Sequence, residues 1–123
     1  MPSPNFILLY VDSPPLSARF YGELLGKPPV ETSPTFALFA LDNGVMLGLW
    51  SRHTAEPAPT ALPGAAEIAF AVADKDAVTR LYAEWGALNL RIAQAPVDLD
   101  FGHTFVALDP DGHRLRVFAP GAA

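Results

Sequence analysis

Apolar and polar residues alternate in short runs along this chain, and turn-forming residues separate the runs. Such alternation is typical of strands with one buried face. It predicts strands at 5–11, 36–41, 45–50, 67–73, 90–94, 103–108 and 113–118. Asn43-Gly44 and Asp111-Gly112 each separate two of these strands, and both dipeptides are strong hairpin signals.

Two helices are predicted where the spacing of apolar residues lengthens. Ser13 can cap the first, with Pro14 and Pro15 in its opening turn and Gly26 just past its end. Asp74 can cap the second, which should stop at Gly86. The expected buried faces are Leu16, Phe20 and Leu24 in the first helix, and Val78, Leu81 and Trp85 in the second.

The second half of the chain repeats the first. "FILLYVDS" begins at Phe6, and "EIAFAVAD" begins 61 positions later at Glu67. "DNGVMLGLW" (42–50) similarly resembles "PDGHRLRVF" (110–118). We predict an α+β fold of two tandem βαβββ modules, about 4–52 and about 65–120, within one domain, 1–123. The joining segment, 51–66, carries three prolines and is predicted to be a linker.

The first and last strands of each module present two different faces, because successive side chains of a strand point to opposite sides. One set is aliphatic or aromatic throughout and should pack under the helices. The other set mixes small residues, aromatics and isolated charges: Phe6, Leu8, Tyr10, Met46, Gly48, Trp50, Glu67, Ala69, Ala71, Arg114, Arg116 and Phe118. Apolar walls with a few polar groups favour a ligand cavity. The alternative is that a dimer partner or the other half of the chain buries this face.

Composition narrows the possible functions. The 123 residues are 50% hydrophobic and 17% charged, as expected of one globular domain. A net charge of −5 argues against binding nucleic acid, and the absence of cysteine excludes disulfides and thiolate chemistry. No basic segment precedes an apolar one at the start, and no apolar run approaches the roughly 20 residues that span a bilayer. We therefore expect a soluble, cytoplasmic domain without membrane partners.

Two longer motifs carry a family resemblance. "FYGELLG" (20–26) and "FGHTFVALDPDGHRLRV" (101–117), with the paired modules, resemble the vicinal oxygen chelate superfamily of glyoxalases, bleomycin-resistance proteins and ring-cleaving dioxygenases. The resemblance implies that the modules form a curved mixed sheet around a cavity, with the helices on the outer face. It also implies a homodimer whose cavities are shared between chains.

Enzymes of that superfamily hold a divalent metal with His, Glu or Gln at four strand positions. The resemblance places those positions at Phe6, Gly48, Glu67 and Arg116. Only Glu67 could be a ligand, since two of the others have no donor atom and Arg116 carries a positive charge. His53, His103 and His113 lie elsewhere, and we expect them in surface or turn positions. No metal and no cofactor are therefore expected.

The resemblance is strongest to the metal-free branch that sequesters antibiotics, in particular the phenazine-resistance type, through "LGLWS" (47–51) and "DFGHTF" (100–105). It implies binding of a small, flat aromatic compound, with no catalytic residue. An indole can stack on such a guest, and an arginine can pair with a carboxylate on it. The expected ligand-binding residues are Trp50, Phe6, Tyr10, Met46, Gly48, Glu67, Arg116 and Phe118.

Several alternatives remain open from the sequence. Trp50 could fill a core or interface, Phe6 and Met46 could serve packing alone, and Tyr10 could simply end a strand. Arg116 could pair only with Glu67. The strands that carry Phe36, Phe39 and Phe105 have no assigned orientation.

Two other functions also compete with ligand sequestration. One is a glyoxalase-like or other small-molecule enzyme that uses Glu67 as a metal-free general base, a role that a neighbouring Arg116 would oppose. The other is a structural or regulatory dimer with an empty cavity.

Overall fold

The computed structural model describes residues 2–121, so the extreme ends of the predicted 1–123 domain lie outside the described residues. The chain divides into two compact units, Met1–Pro63 and Gly64–Ala123. The division falls inside the proline-containing segment 51–66 that was predicted to be a linker. That the units make up one domain stays a prediction.

Unit 1 contains one helix and a four-stranded sheet. Its elements are β1 (Phe6–Val11), α1 (Pro14–Leu25), β2 (Glu31–Thr32), β3 (Phe36–Ala40) and β4 (Met46–Ser51). The strand order is β1-β4-β3-β2, in which β1 and β4 are parallel and the other neighbours antiparallel. The Asn43-Gly44 hairpin thus joins β3 to β4 as predicted, with Gly44 at a positive φ of 85°.

Unit 2 repeats this arrangement. Its elements are β5 (Glu67–Ala71), α2 (Lys75–Ala87), β6 (Arg91–Leu99), β7 (Gly102–Leu108) and β8 (Arg114–Pro120). The order β5-β8-β7-β6 again pairs the first and last strands in parallel. The α+β fold of two tandem βαβββ modules is confirmed, as two mixed four-stranded sheets. The expected cavity enclosed by both modules stays a prediction.

Capping residues start the helices where predicted. The Ser13 hydroxyl accepts a hydrogen bond from the Leu16 backbone N–H at 3.3 Å, and Asp74 accepts one from Ala77 at 2.9 Å. Gly26 ends α1 in the left-handed conformation, with φ of 68°. The predicted stop of α2 at Gly86 is wrong, because the helix continues to Ala87 and the left-handed residue is Asn89.

The predicted buried face of α1 is also wrong. Leu16 is 50% exposed, and the buried residues are Pro14, Ser17, Ala18 and Tyr21. The helix packs against β3 and β4, and burial of the small side chains of Ser17 and Ala18 is typical of a close approach between a helix and a sheet. A pattern of large apolar residues cannot reveal a contact that small residues make.

All seven predicted strands are present, and six of them lie within two residues of their predicted bounds. β6 extends to Leu99 rather than ending at 94, and it contains Pro96. This strand lies at the sheet edge, where the register shifts between Gln94 and Val97, and edges and bulges are where a sheet tolerates proline. The two-residue strand β2 was not predicted, since it is too short to show alternation.

Each unit buries its core on the sheet face that carries its helix. Phe39 of unit 1 and Phe105 of unit 2 are fully buried, which fixes orientations that the sequence left open. The other strand residues of these cores include Leu9, Val11, Leu47, Leu49, Leu115 and Val117. Since alternate residues point the opposite way, the mixed set predicted from the sequence lies on the other face of each sheet.

Asp109 organises the hairpin between β7 and β8. One carboxylate oxygen accepts hydrogen bonds from the backbone N–H groups of Asp111 and His113, at 2.9 and 2.8 Å. The other lies 2.9 Å from His113 Nδ1. Both side chains are nearly inaccessible to water, at 0% exposure for Asp109 and 5% for His113. His113 was expected at the surface or in a turn; it adjoins the turn but is buried, because Asp109 satisfies its ring.

We expect Asp109→Ala to lower the free energy of unfolding by about 2–4 kcal/mol, because it leaves buried donors without an acceptor. Urea denaturation would measure this. The control is Asp100→Ala, an exposed carboxylate in the turn between β6 and β7, which should change stability by less than about 0.5 kcal/mol. Equal effects of the two variants would contradict the role given to Asp109.

Candidate functional site

The register of unit 1 assembles an exposed apolar surface on the sheet face away from α1. Tyr10, Trp50 and Phe36 lie side by side on adjacent strands, as do Phe6 and Met46. We call this surface the aromatic face, and its residues are Phe6, Leu8, Tyr10, Phe36, Met46, Gly48 and Trp50. It unites every predicted binding residue of the first module and adds Leu8 and Phe36.

Gly48 lies at the centre of the aromatic face, between Leu8 on β1 and Leu38 on β3. A Cβ atom at this position would collide with Leu8 Cδ2 and lie 3.1 Å from Phe36 Cζ. The missing side chain therefore leaves room for Leu8 and Phe36, which both approach the strand at this point. The result is a continuous apolar floor rather than a polar pocket.

The rings on this floor contact one another but remain accessible. The Trp50 centroid lies 6.2 Å from that of Tyr10 and 6.5 Å from that of Phe36, the latter edge to face. Phe6 is 54% exposed, Leu8 44% and Tyr10 37%. Exposed apolar side chains grouped in this way mark an interaction surface rather than a core.

Unit 2 presents a different chemistry on the corresponding face. Arg116 lies between Ala69 and Val106 on its neighbouring strands, and Phe118 lies between Ala71 and Thr104. We call this surface the arginine face, and its residues are Glu67, Gln94, Phe101, Thr104, Arg114, Arg116 and Phe118. It unites the three predicted binding residues of the second module.

Arg116 is held on three sides. Its Nε donates to Glu67 Oε2 at 3.0 Å, and its Nη2 lies 3.5 Å from Oε1, so both carboxylate oxygens are engaged. Nη1 donates to the Thr104 hydroxyl at 3.2 Å, and that hydroxyl donates to the Val117 carbonyl at 2.7 Å. The guanidinium also lies 5.5 Å from the Phe101 ring, within range of a cation–π interaction. The internal ion pair that the sequence left as an alternative is present.

Phe101 and Thr104 were not predicted as site residues. Phe101 lies in the turn before β7, where alternation gives no orientation, yet its ring meets Phe118 edge to face at 5.9 Å. Thr104 could have been found by pairing β7 with β8 through the Asp-Gly hairpin, which places it opposite Phe118. The two faces are described separately, and one cavity shared by them stays a prediction.

The other histidines lie away from both faces. His53 is exposed and lies 2.7 Å from Asp12. His103, in β7, is largely buried, with Nδ1 2.7 Å from Asp98 Oδ1, and Lys75 is 3.5 Å from the same oxygen. The hydrogen bond with His103, followed by the Lys75 charge, holds the pKa of Asp98 below its usual value. These contacts serve as local cross-links between elements.

Residues 3–117 match the family model of the Glyoxalase/Bleomycin resistance protein/Dioxygenase superfamily. The chain belongs to this superfamily. It is 30% identical over 118 residues to the phenazine antibiotic resistance protein EhpR of Enterobacter agglomerans, covering 94% of this chain and 90% of that protein. The predicted resemblance is thereby confirmed.

Several solved structures share the fold. A protein from Agrobacterium tumefaciens, known from a solution NMR structure, is 50% identical with a TM-score of 0.86, covering 99% of this chain and all of that one. A glyoxalase-related enzyme from Fulvimarina pelagi is 25% identical with a TM-score of 0.81, covering 97% of this chain and 88% of that one. Within residues 2–121, neither helix is long and apolar enough to cross a membrane.

The superfamily's metal positions do not fit a metal in this chain. Phe6 and Gly48 offer no donor atom, and Arg116 places a permanent cation where a cation would bind. Glu67 commits both oxygens to that guanidinium. Among the residues that the structure describes, no three His, Asp or Glu side chains are grouped to hold a metal ion. One carboxylate is too few, since catalytic zinc sites use three protein ligands.

Zinc, nickel or manganese at tenfold excess should leave the melting temperature unchanged, because binding to the folded state alone would raise it. Elemental analysis of the purified protein should find much less than one equivalent of any of them. Stoichiometric metal, lost in Glu67→Gln, would contradict this prediction.

Proposed function

We propose that this protein binds a small, flat aromatic compound and sequesters it without chemical change, as resistance to an antibiotic of the phenazine class. The aromatic face of unit 1 carries the proposal. It offers accessible rings in fixed positions around a glycine, with no charged side chain among its seven residues. Such a surface suits a planar apolar guest.

The geometry of Trp50 supports stacking. Its ring is flanked by Phe36, which meets it edge to face, and by Tyr10, whose ring is tilted by 38° to the indole. An aromatic guest gains about 0.5–1.5 kcal/mol from favourable ring geometry beyond the burial of its area. Tyr10 lies beside it, and Phe6 lies further along the same face opposite Met46, so the apolar surface extends along both strands.

Similarity to EhpR supports the choice of ligand. That relative is named for resistance to a phenazine antibiotic, and the match spans nearly the full length of both chains. Two residues of the segment that carried the resemblance, Gly48 and Trp50, belong to the aromatic face. Resistance by sequestration requires protein at a concentration comparable to that of the drug, so affinity must come from burial and stacking.

A metal-free enzyme gains little support from the arginine face. A general base needs a carboxylate oxygen that can take a proton from the substrate, but both Glu67 oxygens already accept hydrogen bonds from Arg116. The residues at the predicted metal positions also lack the ligand atoms that would hold a Lewis-acidic metal ion. Binding without turnover is therefore the function that these residues favour.

We also propose a homodimer. Support comes from the exposure of Phe6, Leu8 and Tyr10 along β1, an edge strand of the unit 1 sheet. Exposed apolar edges are commonly covered by a partner. A second chain packed near this strand would complete the walls around a guest.

Phenazine should bind the purified protein in isothermal titration calorimetry, and Trp50→Leu should weaken that binding about tenfold by removing the stacking surface. The matched control is Leu16→Ala, which shortens an exposed apolar residue of α1 away from the aromatic face. It should leave the dissociation constant unchanged.

Fluorescence gives a second readout of the same prediction. In Trp85→Phe the only indole left is Trp50, and phenazine should shorten its emission lifetime. Phenazine and a panel of other flat aromatic antibiotics would be tested in both experiments. If none gives a heat of binding or quenches Trp50 fluorescence, sequestration is not the function.

Light scattering after gel filtration should report the mass of two chains. Tyr10→Asp puts a charge on the exposed edge strand. Because a dimer interface would have to desolvate that charge, the variant should have the mass of one chain. The control is Leu16→Asp, which puts the same charge at an exposed position of α1 and should leave the dimer intact. A wild-type monomer at millimolar concentration would contradict the proposal.

A further inference from the structure

The arginine face concentrates positive charge in an otherwise acidic chain. The whole sequence has a net charge of −5. Leu108 on β7 nevertheless pairs with Arg91 on β6 and with Arg114 on β8, so the two arginines lie in one row across the sheet. Arg116 follows two residues after Arg114. Glu67, opposite Arg114, is the one acidic residue of the defined arginine face, which carries two guanidinium groups, and Arg91 adjoins the face on β6. Such an excess of cations suits an anionic ligand.

The three arginines are not equally engaged. Arg116 is neutralised by Glu67, and Arg91 donates through Nη2 to the Asp109 carbonyl at 2.8 Å. Within residues 2–121, the Arg114 side chain makes no hydrogen bond or ion pair, and it is exposed. One guanidinium is therefore free to pair with a ligand.

A small cavity of about 200 Å³ lies beside that guanidinium. Its polar lining comes from Gln94, Arg114 and Arg116, and its apolar lining from Ala93, Leu99 and Val106. Val106 pairs with Gln94 on one side and with Arg116 on the other. The Gln94 amide and the guanidinium groups therefore line the same small space. Donors on one side and aliphatic side chains on the other suit a group with a charged head and an apolar body.

We propose that this cavity binds the carboxylate of an aromatic acid, so that aromatic acids bind this protein more tightly than the corresponding neutral aromatics. The inference rests on the proposed function in taking the guest to be aromatic. Arg114 forms a two-pronged pair with the carboxylate, since its planar fork matches the spacing of the two oxygens, and Gln94 donates to one of them. A single negative charge balances the single free guanidinium.

The test compares phenazine-1-carboxylate with unsubstituted phenazine by isothermal titration calorimetry at neutral pH and low salt. A charge-assisted pair predicts that the acid binds about ten- to hundredfold more tightly. Arg114→Gln should remove most of that advantage and leave the affinity for phenazine unchanged. Its control is Arg80→Gln, which removes an exposed arginine of α2.

Glu67→Gln provides an opposite and independent change. It removes the carboxylate that neutralises Arg116 and leaves an isosteric amide. The acid should then bind severalfold more tightly than it does to the wild-type protein. Weaker acid binding in Glu67→Gln would overturn the proposal.

The outcomes separate this inference from the proposed function. If both phenazines bind with equal affinity, or if Arg114→Gln behaves as Arg80→Gln does, the carboxylate site is wrong while sequestration stands. If neither binds, sequestration is wrong, and the carboxylate site is then tested by NMR titration with benzoate. Chemical-shift changes on adding benzoate, at the Gln94 side-chain amide and at Arg114 Nε, would support the site if the Gln94 change disappears in Arg114→Gln. Their absence would overturn it.

Discussion

Parallel pairing of the first and last strands sets the chemistry of each unit. In unit 1 the pairing of Leu8 with Gly48 places Tyr10 beside Trp50, and in unit 2 the pairing of Ala69 with Arg116 brings Glu67 within reach. A slip of one residue would turn all these side chains into the core. Burial of the opposite face prevents that slip, because Leu9 and Leu49 would then face water.

The two units have the same strand arrangement but carry different side chains at the central position of the exposed sheet face. In unit 1, glycine at a central position leaves room for two apolar side chains that approach the strand, which gives an uncharged floor. In unit 2, arginine at the corresponding position is anchored by Glu67, Thr104 and Phe101, which gives a polar wall. Tandem repetition of one fold thus yields an apolar surface in unit 1 and a cationic surface in unit 2.

Much of this arrangement could be predicted from the sequence, because it depends on short-range rules. Alternation, the two hairpin dipeptides and the caps at Ser13 and Asp74 gave the strands, their faces and the helix starts. The buried face of α1 could not be predicted, since Ser17 and Ala18 make contacts through their small size. Phe101 was missed for another reason: it lies in a turn, and only the folded chain shows where a turn residue points.

The ion pair between Glu67 and Arg116 limits what Arg116 can do alone. Their side chains are 35% and 16% exposed, so neither charge is fully desolvated, and pairs in such surroundings contribute little net stability. A ligand carboxylate at Arg116 would exchange one carboxylate for another and gain little. Affinity for an anion must therefore come from a cation without a partner, and Arg114 is the residue of this face that supplies one. The pair instead fixes the position of the Arg116 guanidinium, so that its remaining surface forms a stable wall of the cavity.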